Sequence, residues 1–111
     1  FVKQLTNESI KVYQEKDISM LMTEIAPKKR QSYVNDVFKG CTDKEKDEII
    51  NCLKSYIKNN GSINKIAEEL FIHKNTLQYR LSKIKNLTGY DPRILEEFIP
   101  LVMAMYLDEL K

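Results

Sequence analysis

The sequence predicts a small all-α domain of roughly five to seven helices. Three observations carry this. Glycine and proline occur three times each, while lysine, glutamate and leucine are abundant, a composition that favours helix. Apolar residues recur at three- and four-residue intervals along much of the chain, which places them on single helical faces. Stop and start signals separate these stretches: Gly40, then Thr42 with Glu45; Asn60-Gly61, then Ser62; Gly89, then Asp91-Pro92. The 111 residues suit one domain, and 42% hydrophobic content is enough for a packed core.

The first sixteen residues fit two periods. Val2, Leu5, Ser9, Val12 and Tyr13 match a helix, whereas Ile10, Val12 and Gln14 match a short strand. Asp17 is placed to cap a short helix over 18–25, with Ile18, Leu21, Met22 and Ile25 inward. The Met20-Leu21-Met22 cluster is read as core filling rather than as an adaptable binding surface. After Pro27, the basic triplet Lys28-Lys29-Arg30 opens a second helix as a solvated start; a phosphate contact is the other reading. That helix should run to about Lys39, burying Tyr33, Val34, Val37 and Phe38, and end at Gly40 in a left-handed conformation.

Thr42-Asp-Lys-Glu45 is a capping box: the Thr hydroxyl can accept from the Glu45 amide, and the Glu45 carboxylate can reach back to the Thr42 amide. The helix it opens should span 43–59, with Ile49, Ile50, Leu53, Tyr56 and Ile57 inward, and stop at Asn60-Gly61. Ser62 caps the next helix, whose stripe is Ile63, Ile66, Ala67 and Leu70. After the short break Phe71-Ile72-His73, another stripe follows: Leu77, Leu81, Ile84 and Thr88. Two apolar stripes this close in sequence can bury each other, and Ala67 lets the second helix approach closely. The break has the length of a helix-turn-helix turn. The preceding long helix is the platform on which the pair would rest.

The outward face of the second helix of this pair carries the functional signal. With Leu77 taken as the core direction, Asn75, Gln78, Tyr79, Ser82 and Asn86 point away from it. Lys74, Lys83 and Lys85 flank them, and no acidic residue occurs between Lys74 and Gly89. From Ser62 to Gly89 five basic and two acidic residues give a local net charge of +3, against +2 for the whole chain. Amides and hydroxyls with basic margins suit a DNA major groove, where Asn and Gln read base edges and lysines engage phosphates. An ordinary amphipathic surface helix with solubilising lysines is the other reading of the same pattern.

The run Leu70-Phe71-Ile72-His73, Asn75-Thr76-Leu77, Tyr79-Arg80-Leu81, Ile84 and Thr88-Gly89 closely resembles the C-terminal helix-turn-helix of the PucR/CdaR group of bacterial transcription regulators. That group includes sugar-diacid and purine-catabolism regulators. The strong match covers about Leu53 to Asp91; a Fis-type helix-turn-helix is a less close likeness. The resemblance implies a Fis-like helix-turn-helix fold, DNA binding, and control by an upstream ligand-sensing region; the two cysteines, read as free thiols, suit a reducing cytoplasm. The chain begins at Phe1, and a segment of a longer protein is the expected origin. Residues 1–41 are then read as a helical segment at the end of a linker from that region, and 42–111 as the DNA-binding domain.

Beyond the recognition helix, Asp91 and Pro92 suit the first turn of a final helix rich in Leu95, Phe98, Ile99, Leu101, Val102, Met103, Met105, Tyr106 and Leu110. Pro100 lacks an N–H and crowds the preceding turn, so this helix either kinks there or begins near Ile99. Its last turns are apolar on more than one side, one for the domain and another open to a second subunit or an upstream region.

Other chemistries have little support. Cys41 and Cys52 form no Cys-x-x-Cys pair, and with His73 alone there is no metal set, no Cys–His pair and no Ser–His–acid set. His73 is read as a helix cap or phosphate contact. Arg80 lies beside the core stripe, where pairing with Glu69 or Glu68 and a phosphate contact are both open. Glu68-Glu69, Glu96-Glu97 and Asp108-Glu109 are sequence neighbours that do not converge on one face. No apolar run is long enough to span a membrane. Neither cofactor nor enzymatic activity is expected.

The expected function is sequence-specific binding of a double-stranded DNA operator as the output module of a transcription regulator, with a homodimer as a natural arrangement. Asn75, Gln78, Tyr79 and Ser82 would face bases. Ser62, Lys65, His73, Lys74, Thr76, Lys83 and Lys85 would hold phosphates. A helical protein-interaction or dimerisation module that does not read DNA is the alternative.

Overall fold

The structure is a computed structural model, and it describes residues 20–110. Five helices carry the architecture: α1 (Pro27–Val37), α2 (Asp43–Lys58), α3 (Ile63–Glu69), α4 (Lys74–Thr88) and α5 (Leu95–Glu109). A helical turn over residues 20–23 precedes them, and no strand occurs among the described residues. No helix there is long and apolar enough to cross a membrane. The expectations for residues 1–16, and the Asp17 cap with Ile18, lie outside the described residues.

One core joins all five helices. Its buried members include Val34 and Val37 from α1, Ile49, Cys52 and Leu53 from α2, and Ile66 and Ala67 from α3. Leu77, Leu81 and Ile84 come from α4, and Leu101, Ala104, Met105 and Leu107 from α5. The stripes read from the sequence therefore meet, α3 against α4 with α2 behind α3. α1 lies along α5, with Phe38 buried just beyond its end. The last turns of α5 are thus covered within the domain, and its exposed apolar side chains, Leu95 and Ile99, lie in its first half.

The local signals act largely as read. Thr42 Oγ1 accepts from the Glu45 amide at 3.1 Å, and Glu45 Oε1 accepts from the Thr42 amide at 2.9 Å, completing the capping box. That reciprocal bond, ahead of Thr42's hydroxyl and Lys83, holds the Glu45 carboxyl below its usual range. α2 stops where Asn60 and Gly61 both take positive φ. α4 ends at Gly89, with φ 84° and its amide on the Lys85 carbonyl at 2.8 Å. Two ion pairs, Lys46–Asp108 at 2.8 Å and Lys54–Glu109 at 3.1 Å, tie α2 to the end of α5.

Several expectations are corrected. Gly40 is not left-handed; positive φ among the described glycines occurs at Gly61 and Gly89. Its lack of a side chain serves contact instead, because a β-carbon there would meet the Leu87 carbonyl oxygen at 2.6 Å. Leu21 and Met20 are exposed, and of that cluster only Met22 enters the core, because the helical turn is too short to bury a full stripe. Tyr33 is also exposed, lying on the rim of the α1–α5 contact with its hydroxyl 3.5 Å from the Pro100 carbonyl. Asp91 and Pro92 do not open α5; they form a buried turn before it. α5 starts at Leu95 and runs through Pro100, whose missing N–H falls early in the helix and deprives only the Glu96 carbonyl of its partner.

Candidate nucleic-acid interface

α3 and α4 are joined by a turn at Leu70 to His73. The Leu70 amide bonds to the Ile66 carbonyl at 2.9 Å, and the Ile72 amide to the Ala67 carbonyl at 3.0 Å, closing the end of α3. Phe71 between them adopts φ 56°, uncommon for a bulky residue, and its side chain is 94% exposed. The turn is therefore shaped by the helix end and not by burial of the Phe71 ring. Ile72, partly buried against the core, directs the chain into α4.

Capping side chains hold both helix starts. Ser62 Oγ accepts from the Lys65 amide at 3.4 Å. His73 Nδ1 accepts from the Asn75 amide at 3.0 Å, so this histidine is the N-cap of α4.

α4 buries Leu77, Leu81 and Ile84 and turns Asn75, Thr76, Gln78, Tyr79 and Asn86 to solvent, with Ser82 half-buried. Tyr79 is 68% exposed, a large aromatic left on the open face. Lys74, Lys83 and Lys85 are exposed along α4, and Lys65 is exposed on α3 near Asn59, Glu68, Glu69 and Phe71. The helical period thus puts Asn75, Gln78, Tyr79 and Ser82 on one side of α4, with Lys74, Lys83 and Lys85 flanking them on the same helix. Lys83 is shared: its Nζ lies 3.7 Å from Glu45 Oε2, a partly exposed contact that screening weakens.

Arg80 does not pair with Glu69 or Glu68. Glu69 is taken by Asn59 Nδ2 at 3.1 Å and Lys58 Nζ at 3.3 Å, and these bonds lower its carboxyl below the usual range. Arg80 instead lines a cleft between α2 and α4 with Glu48 and Cys52. Burial pushes the Cys52 thiol up, opposed by the Arg80 charge, so it is an unreactive core group. Cys41 and Cys52 are both free thiols.

One participant escapes sequence reasoning altogether. Arg93, in the turn before α5, reaches back to α4. Its Nη1 donates to Gln78 Oε1 at 2.9 Å and its Nη2 to Ser82 Oγ at 3.1 Å. Asp91 holds it there: Arg93 Nε donates to Asp91 Oδ1 at 2.9 Å and Nη2 to Oδ2 at 3.2 Å. Asp91 Oδ1 also accepts from the Arg93 amide at 2.9 Å, and the Asp91 amide donates to Glu97 Oε1 at 2.8 Å. The Arg93 side chain, above all, keeps the Asp91 carboxyl below the ordinary carboxylate range and is itself raised by it. The sequence offers no periodic link between Arg93 and Gln78, fifteen residues apart; the only hint is a lone arginine beside an aspartate just after the helix stop.

Residues 49–107 match the family model of the PucR C-terminal helix-turn-helix domain. The purine catabolism regulatory protein of Bacillus subtilis is 25% identical over 103 residues, covering 91% of this chain and 19% of that protein. The carbohydrate diacid regulator of Escherichia coli is 39% identical over 57 residues, covering 51% of this chain and 15% of the regulator. YsfB of Bacillus subtilis is 32% identical over 89 residues, 80% of this chain and 24% of YsfB. The chain therefore spans less than a quarter of the length of each of these relatives.

Proposed function

The chain belongs to the family of PucR C-terminal helix-turn-helix domains, DNA-binding domains of transcription regulators, and we propose that it reads a specific double-stranded operator as the output module of such a regulator. The observation that carries this reading is the exposed polar face of α4, bordered by Lys74, Lys83 and Lys85, on the second helix of a helix-turn-helix. α4 lies in the major groove. Asn75, Gln78, Tyr79 and Ser82 face base edges. Ser62, Lys65, His73, Lys74, Thr76, Lys83 and Lys85 hold the backbone. With Nδ1 occupied by the Asn75 amide, the neutral His73 ring carries its hydrogen on Nε2, a donor suited to phosphate.

Residues 42–111 form the DNA-binding unit in this reading, and 1–41 lead from an upstream sensing region, with α1 docked on α5. A module this small makes few phosphate contacts, so pairing on two half-sites supplies affinity and register. Leu95 and Ile99 are the exposed apolar side chains of α5 that a second copy would cover.

The test is fluorescence anisotropy on a pool of random duplexes, titrated with salt, followed by sequencing of the retained DNA. Salt-sensitive binding with an enriched motif supports the reading. Salt-sensitive binding without a motif reduces the face to a nonspecific basic surface. No binding at low salt favours the protein-interaction module.

A further inference from the structure

We propose that Arg93 is a positioning residue that sets base specificity by locking the Gln78 amide, and that it does so without contacting DNA itself; the proposal rests on α4 reading bases. The argument begins with what the guanidinium has left to give. Arginine carries five N–H donors. Four are engaged within the protein, by both Asp91 oxygens, Gln78 Oε1 and Ser82 Oγ. Asp91 also neutralises the charge at close range, so Arg93 adds little net positive potential to the face. A residue meant to grip phosphate would keep its fork open; this one is committed to its neighbours.

The consequence falls on Gln78. A free glutamine amide flips readily and can present either oxygen or nitrogen to a given base atom. Arg93 can bond only to the oxygen, because a guanidinium has no acceptor. That fixes which end of the amide is which. The Nε2 donors and one remaining oxygen lone pair then face outward in a set orientation, the complement of an adenine edge with its N7 acceptor and N6 donor. Ser82 is polarised in the same way: its oxygen accepts from Arg93, leaving its hydroxyl hydrogen to donate. Preorganised groups lose less freedom on binding, which favours the one base edge they fit.

The deciding variant is Arg93→Lys, which keeps the charge and loses the fork. Selection from random duplexes is run on the 111-residue chain with the wild type, Arg93→Lys, Gln78→Ala and the double variant. Arg93→Lys is expected to lose preference at one base pair and to weaken the wild-type site about tenfold. Its nonspecific affinity and salt slope should stay unchanged. In the Gln78→Ala background it should cost much less than in the wild type, the remainder passing through Ser82, because most of its effect runs through the Gln78 amide. A lysine variant that retains the motif, or effects that simply add, would overturn the proposal while leaving DNA reading intact. A wild type that enriches no motif would remove both. A readout independent of DNA and of any variant's folding is the mobility of the Gln78 side-chain NH2 by NMR in the free wild type. Restricted motion is expected, and the freely mobile amide of a surface glutamine would refute the lock.

Discussion

The backbone of Gly40 passes so close to Leu87 that a β-carbon on Gly40 would stand 2.6 Å from the Leu87 carbonyl oxygen. This contact seats the α1–α2 connection on the last turn of α4. The obstacle is backbone, which cannot rotate away as a side chain would. Gly40→Ala should therefore cost about 1–3 kcal/mol, as overpacking does. Gly89→Ala meets nothing within 4 Å and should cost only about 1 kcal/mol, from its left-handed φ of 84°. Chemical denaturation of both variants tests the order; a larger loss at Gly89 would mean that the 87–40 contact yields.

Ala67 is buried, 6% exposed, on the face of α3 that meets α4. Ala67→Leu should overpack this crossing and cost about 1–3 kcal/mol. Since the crossing also sets the angle at which α4 leaves the domain, DNA affinity should fall with it. An unchanged melting temperature would show that the crossing has room to spare.

Asp91 is buried and its carboxylate is stabilised chiefly by Arg93. Its folded value lies below the ordinary aspartate value of about 3.9. A depressed carboxylate contributes stability that is present above the unfolded value and lost as pH falls toward the folded one. Asp91→Asn should therefore destabilise by about 1–3 kcal/mol at neutral pH. The gap from wild type should narrow below about pH 4. Melting curves at neutral pH and near pH 3 decide it; a gap of equal size at both would deny the ionised carboxylate its role.

Lys83 lies at the margin of the polar face and touches Glu45 only through a long, partly exposed contact at 3.7 Å. Lys83→Ala should leave thermal unfolding nearly unchanged. It should lower DNA affinity on all sequences and reduce the salt slope by about one. A slope identical to wild type would leave Lys83 with Glu45 and not with phosphate.

Much of this protein is local information. The capping box at Thr42–Glu45, the stop at Asn60-Gly61 and the left-handed Gly89 follow from residues a few positions apart, and each occurs where the sequence places it. The stripes of α3 and α4 are likewise legible, because 3.6 residues per turn fixes which side chains share a face. The composition of the face opposite Leu77 is legible by the same rule. Periodicity names a face but does not say how wide the neighbour that covers it will be. Tyr33 and Leu21 fit their stripes and still lie exposed, Tyr33 on the rim of the α1–α5 contact and Leu21 on a helical turn too short to bury a full stripe.

The sequence by itself determined an all-α chain, a helix-turn-helix and a polar face on its second helix. Only the tertiary structure decided that Gly40 is a contact glycine, that Arg80 faces α2 and not Glu69, and that the Asp91–Arg93 turn folds back onto Gln78 and Ser82. The reason is physical. Helix faces and caps arise from bonds between near neighbours, whereas these contacts join segments that meet only once α2, the end of α1 and the turn before α5 have packed against α4.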